Sequence, residues 1–177
     1  MDKKLQKKNE KITDDRRTEK LKETILFLTK LLILSIPMYI IIRYNVDFTI
    51  IRNFIAFHTS HFLNLVGIPS NFDVHGIIEL KNSSIAINRD CTGWKGMWFF
   101  MALILSTKAS IRKKITGIAV GTLNVLSVNI LRIVVMIWVE INLRGMFTII
   151  HDILWQASII FIVLILWYIW LNQSIAN

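Results

Sequence analysis

The sequence predicts an all-α polytopic membrane protein with about four membrane-spanning helices, an amphipathic helix at the outer face and a small extracytoplasmic β-hairpin. Three observations carry this reading. Of 177 residues, 54% are hydrophobic and only 19% charged, too apolar for a soluble domain of this size to cover its own surface. Several apolar runs approach the roughly 20 residues that a helix needs to cross a bilayer. Much of the charge behind the formal +9 sits in two short clusters, as topology signals do. The composition also excludes disordered, collagen-like and disulfide-framed classes, since one cysteine makes no intramolecular disulfide.

Residues 1–24 hold nine Lys/Arg and six acids with few apolar residues, and read as a solvated basic arm. Residues 25–177 form the single membrane-embedded domain. The first apolar run, 25–42, is interrupted by Lys30, which snorkels, and by Pro37, which kinks a helix. No small-residue cleavage site follows it, so it reads as a retained anchor rather than a secretory signal. Further spans are expected at about 92–107, 115–139 and 153–171. Between the second and third lies Lys108-Ala-Ser-Ile-Arg-Lys-Lys114, with four basic residues in seven and no acid. Positive charge is retained on the cytoplasmic side, so this loop and the basic arm are expected there. By parity both termini are then cytoplasmic, and residues 43–91 and 140–152 face outside.

Residues 48–66 are helical in pattern but carry Arg52, Asn53, His58, Ser60, His61 and Asn64. A further span here would reverse the side assigned to residues 108–114. Ile51, Phe54, Ile55, Phe62 and Leu65 recur at helical spacing, which predicts an amphipathic helix in the outer interface. Gly67 and Pro69 terminate it. Residues 75–88 contain two β-like runs about Lys81-Asn-Ser-Ser84, the expected hairpin.

Polar groups at bilayer depth are costly and point to function. Arg132, in Asn129-Ile-Leu-Arg132-Ile, is expected roughly 10 Å inside the third span at 1.5 Å per residue. No acid lies one turn away on its helix, and Asn129 shares its face. The plain alternative is an arginine snorkelling to helix-end carbonyls. Cys91 stands in Arg89-Asp90-Cys91-Thr92-Gly93-Trp94, where the hairpin meets the second span. A helix amino terminus favours thiolate, and Asp90 opposes it unless it caps the helix or holds another side chain. The plain alternative is an inert packing thiol.

His151-Asp152 opens the fourth span on the same outer side. The topology therefore gathers a thiol, a guanidinium and an imidazole from three helices at one leaflet. Thiol and imidazole suffice for nucleophilic acyl transfer, and a cation suits the oxyanion. Alone, His151 reads equally well as a residue marking the water interface. His58, His61 and His75 read as a wet surface, with no nearby carboxylate or thiol to complete a metal site. Asn82-Ser-Ser84 fits a glycosylation acceptor pattern. No soluble-enzyme motif is present, and no cofactor or metal is called for.

Asp90-Cys-Thr-Gly-Trp94, Asn129-Ile-Leu-Arg132 and His151, in this order, resemble the exosortase/archaeosortase family of membrane-embedded cysteine transpeptidases. The resemblance spans roughly residues 48–165 and looks more archaeal than bacterial in its C-T-G-W form. It implies Cys91 as nucleophile, with Arg132 and His151 completing the site and Asn129, Asp90 and Asp152 supporting them. Because some archaeal members place arginine third, Arg144 is a rival to His151. The implied partners are exported proteins ending in a short motif, a hydrophobic helix and a basic tail, with a lipid as possible acceptor. Nucleic acid is not needed to explain the charge. The reading from another class is a non-enzymatic membrane subunit whose Arg132 pairs with a partner helix. Thiol redox work is a third reading, poorly served by a single cysteine.

Overall fold

The computed structural model describes residues 3–44, 46–143 and 147–176, with side chains described for 12–44, 46–143 and 158–174. Five α-helices and one small sheet make up the described chain: α1 (Lys3–Arg43), α2 (Thr49–Leu65), β1 (Ser70–Phe72), β2 (Ile77–Leu80), β3 (Ser83–Ala86), α3 (Trp94–Ser106), α4 (Ile111–Asn142) and α5 (Phe147–Ala176). A 3-10 turn, Arg89–Thr92, precedes α3.

The basic arm and the first apolar run form one continuous 41-residue helix that includes Pro37. Among the described residues, Ile12–Arg43 and Ile111–Asn142 are long and apolar enough to cross a membrane. The second expected span is the shorter apolar helix Trp94–Ser106, and the fourth falls within the 30-residue α5, whose segment Ser158–Ser174 is apolar. At 13 residues, α3 rises only about 20 Å, less than the roughly 30 Å hydrocarbon core.

Side chains of the helical bundle pack into one core cluster formed by Phe100, Leu103, Ile104, Val125 and Val163, with Phe27 and Leu31 of α1 against it. Tryptophans tie the helices together. Trp98 Nε1 donates to the Leu34 carbonyl at 2.8 Å, and Trp167 Nε1 donates to Thr107 Oγ1 at 3.1 Å. Each joins a half-buried indole N–H to an acceptor on another segment, as an indole away from water requires.

A second cluster joins α2, the sheet and the later part of α4 through Ile55, Ala56, Leu63, Ile78, Ile87, Ile133, Val134 and Ile137. The structure adds which face of the expected helix packs against protein. The helix forms almost where predicted, but its buried face is Ile55, Ala56, Thr59, Ser60 and Leu63. Of the predicted apolar face, Ile55 is buried, Ile51 packs beside it, and Phe54, Phe62 and Leu65 are exposed. Hydrogen bonding accounts for the buried Ser60, whereas Thr59 Oγ1 is buried with no partner among the described residues. Ser60 Oγ lies 3.0 Å from Ser70 Oγ, and Asn64 pairs with the Ser70 main chain through two 2.9 Å bonds. Satisfied polar groups can be buried at little cost.

The helix closes with a Schellman turn, in which Ile68 N–H donates to the Leu63 carbonyl and Gly67 N–H to that of Asn64. Gly67 supplies the required positive φ of 83°. The expected hairpin is present and gains a strand. The sheet is an antiparallel meander in the order β1-β2-β3, with Ser70 opposite Leu80 and Leu80 opposite Ser83. The added strand β1 is only three residues long, too short to show an alternating pattern in sequence.

Candidate active site

Cys91 does not stand on the helix terminus itself. It occupies the Arg89–Thr92 turn, and Gly93, with φ 73°, separates that turn from α3. Its main-chain N–H is already engaged by Asn88, through Oδ1 at 2.9 Å and the carbonyl at 3.1 Å. Thr92, fully buried, donates its hydroxyl to the Arg89 carbonyl at 2.8 Å. The turn is thus internally bonded, and it packs against α2 and α4. Asn88 was not singled out from sequence; an Asn three residues before the cysteine is the capping signal that could have revealed it.

α4 grips this turn from behind. Asn129, with no exposed surface, donates Nδ2 to the Cys91 carbonyl at 2.9 Å. A Cβ on Gly93 would stand 2.8 Å from Asn129 Cγ, so the glycine allows close approach as well as the left-handed backbone. Asn129 Oδ1 is buried with no hydrogen-bond partner among the described residues, an acceptor left at the base of the site. Gly96 makes only ordinary contact with Ile159 and Val125.

Arg132 follows Asn129 by one helical turn and is half-buried. Its charge acts on the Cys91 thiol and favours thiolate. Burial nevertheless dominates and pushes the thiol's pKa up. A main-chain hydrogen bond from Asn88 and the Arg132 charge both oppose that rise, whereas the Asp90 charge adds to it. The structure therefore brings Cys91, Asn129 and Arg132 together. Asp90 instead faces Lys95 in a 2.8 Å ion pair, with both side chains about half exposed.

The side chains of His151 and Asp152 lie outside those described, although α5 runs through both positions; Arg144 lies outside the described residues altogether. His58 and His61 sit among aromatic rings. His58 meets Phe54 edge-on at 4.3 Å and Phe57 at 5.1 Å, and Phe57 stacks with His61 at 6.4 Å. No cluster of three His, Cys, Asp or Glu side chains able to hold a metal occurs among the described residues.

Comparison with known proteins yields one match. The family described as transmembrane exosortase (Exosortase_EpsH) matches residues 19–170. No curated protein and no solved structure matches the chain. The family match covers α1 from residue 19 onward, the cysteine turn, the Asn129–Arg132 face of α4 and most of α5. The chain is accordingly a membrane protein and belongs to the transmembrane exosortase family.

Proposed function

We propose that this protein is a membrane-embedded cysteine protease or transpeptidase that removes a carboxy-terminal sorting signal from exported proteins. The observation that carries the reading is the Asn129 bond to the Cys91 carbonyl, which holds the thiol turn on the helix that bears Arg132. The signal consists of a short motif, a hydrophobic helix and a basic tail. In this reading the chain crosses the membrane four times, with both termini in the cytoplasm and the site facing outward.

The chemistry follows from the environment of the thiol. A thiol whose pKa is raised by burial rests protonated, so it needs a base at the moment of attack. His151 takes the proton in this scheme, with Asp152 orienting it; Arg144, the rival third residue, keeps its proton and would instead support the thiolate or the oxyanion, leaving the proton to water. The sulfur adds to the scissile carbonyl carbon, and the Arg132 guanidinium stabilises the oxyanion. Collapse of that intermediate breaks the C–N bond. The base returns its proton to the departing amine, and a thioester remains on Cys91. An amine or hydroxyl acceptor, including a lipid, or water then takes the acyl group and restores the thiol.

The test is the size of a co-expressed exported protein carrying such a tail, in cells with the wild-type protein, Cys91→Ala or Cys91→Ser. Processing is expected with the wild type alone. Normal processing by Cys91→Ala would overturn the enzyme reading and favour a non-enzymatic membrane subunit whose Arg132 serves a partner helix. A thiol reagent that cannot cross membranes is expected to label Cys91 in intact cells, and labelling only after lysis would reverse the proposed orientation.

A further inference from the structure

The ends of α4 and α5 farthest from Cys91 enclose a second feature with chemistry of its own. A cavity of about 440 Å³ opens between these helices, within the size range of small-ligand pockets. It runs along α4 from Lys113 to Asn124. At 1.5 Å per residue that is roughly 16 Å, about half of a 30 Å hydrocarbon core and so the depth of one leaflet.

The walls change character along this depth. Phe100, Val120, Leu166, Ile169 and Trp170 supply the apolar length, while Lys113 and Gln173 stand at the helix-end mouth. At the deep end, Asn124 returns its amide to the Val120 carbonyl of its own helix at 2.8 Å. Two glycines shape the walls. A Cβ on Gly117 would collide with the Trp170 ring, and one on Gly121 with Phe100. Trp170 Nε1 donates to the Lys113 carbonyl at 3.2 Å, and Lys113 Nζ donates to the Ser174 carbonyl at 2.8 Å. The Lys113 ammonium is therefore fixed at the mouth with further N–H donors to offer.

The α4 side of the mouth is positively charged. Lys113 is flanked by Arg112 and Lys114 with no acid in the segment 108–114. Glu23 of α1 is paired with Lys108 at 2.7 Å. Basic pockets between membrane helices bind anionic headgroups. An apolar slot one leaflet deep beneath a fixed ammonium complements an acyl chain attached to a phosphate.

We infer that the α4–α5 cavity is a binding site for an anionic glycerophospholipid, its phosphate at Lys113 and one acyl chain between Val120 and Trp170. The site is separate from Cys91 and independent of the proposed reaction.

Tryptophan fluorescence of the full-length protein in phosphatidylcholine vesicles tests this directly, with brominated phosphatidylglycerol or brominated phosphatidylcholine as a minor component. The Trp170 signal is the difference between the wild type and Trp170→Phe. Brominated phosphatidylglycerol is expected to quench it selectively. That selectivity should fall roughly fivefold in Lys113→Gln, persist in Lys113→Arg, and weaken as salt is raised in the wild type. Equal quenching by the two lipids would mean ordinary boundary lipid and would overturn the site. So would selectivity that survives Lys113→Gln together with high salt, or a Trp170 that neither lipid reaches because a protein helix fills the groove.

Discussion

Asn129 and Cys91 are joined across 38 positions of sequence by a single 2.9 Å hydrogen bond from the asparagine amide to the cysteine carbonyl. The bond fastens a short turn to a membrane helix at the point where that helix carries Arg132. The position of the thiol thus depends on a residue that need not touch substrate.

Replacing Asn129 with alanine is expected to leave the Cys91 carbonyl without its donor and to destabilise the protein by about 1–3 kcal/mol. Gly93→Ala should resemble it, because its Cβ would meet Asn129 Cγ at 2.8 Å and its φ is 73°. Thermal unfolding in detergent and the rate of Cys91 alkylation check both. A faster alkylation with unchanged stability would show that the bond only shields the thiol.

The pH dependence of Cys91 has a definite sign. Burial raises the thiol's pKa, so alkylation by a small maleimide should reach half its maximal rate above the ordinary thiol range. The folded state holds this proton more tightly than the unfolded chain does. The stability it contributes is whole below the ordinary thiol pKa and is lost as pH rises through the higher folded value. Melting temperatures of the wild type and Cys91→Ser should therefore change relative to one another only on the alkaline side.

Arg132→Gln removes the cation that favours thiolate. The alkylation midpoint should move to still higher pH, and processing should fall by about 100- to 1,000-fold, the usual loss for an oxyanion stabiliser. Arg132→Lys keeps the charge and should retain the midpoint while losing the planar geometry. Identical midpoints in the wild type and Arg132→Gln would remove the electrostatic role.

The corner between α2 and β1 gives a stability prediction away from the thiol. Asn64 makes two hydrogen bonds to the main chain of Ser70, which is buried. Asn64→Ala should cost about 1–3 kcal/mol by stranding the Ser70 groups. Asn64→Asp keeps the acceptor for the Ser70 N–H but loses the donor, and is expected to fall between the two in thermal unfolding.

Most helices were legible in the sequence because apolar runs and turn residues are local signals. Residues 48–66 gave α2 within a residue or two, and Lys81-Asn-Ser-Ser84 gave the turn between β2 and β3, although Ser83 and Ser84 already belong to β3. The buried face of α2 was not legible. Thr59 and Ser60 look like solvent-facing residues until Ser70 arrives from ten positions away to bond Ser60. Asn88 was missed for a related reason, since its value lies in capping a separate turn, Arg89–Thr92, that sequence did not distinguish from the junction of hairpin and helix.

Sequence by itself determined the membrane character, the family resemblance and the pairing of a lone cysteine with an intramembrane Asn-x-x-Arg face, because hydropathy and motif spacing are properties of the chain alone. Tertiary structure decided that Cys91 sits on a separate turn, that Asp90 pairs outward with Lys95, and that Asn129 holds the cysteine carbonyl. Those facts depend on groups distant in sequence meeting at hydrogen-bond range, and on burial that raises the thiol's pKa against a nearby cation. No linear pattern carries either quantity.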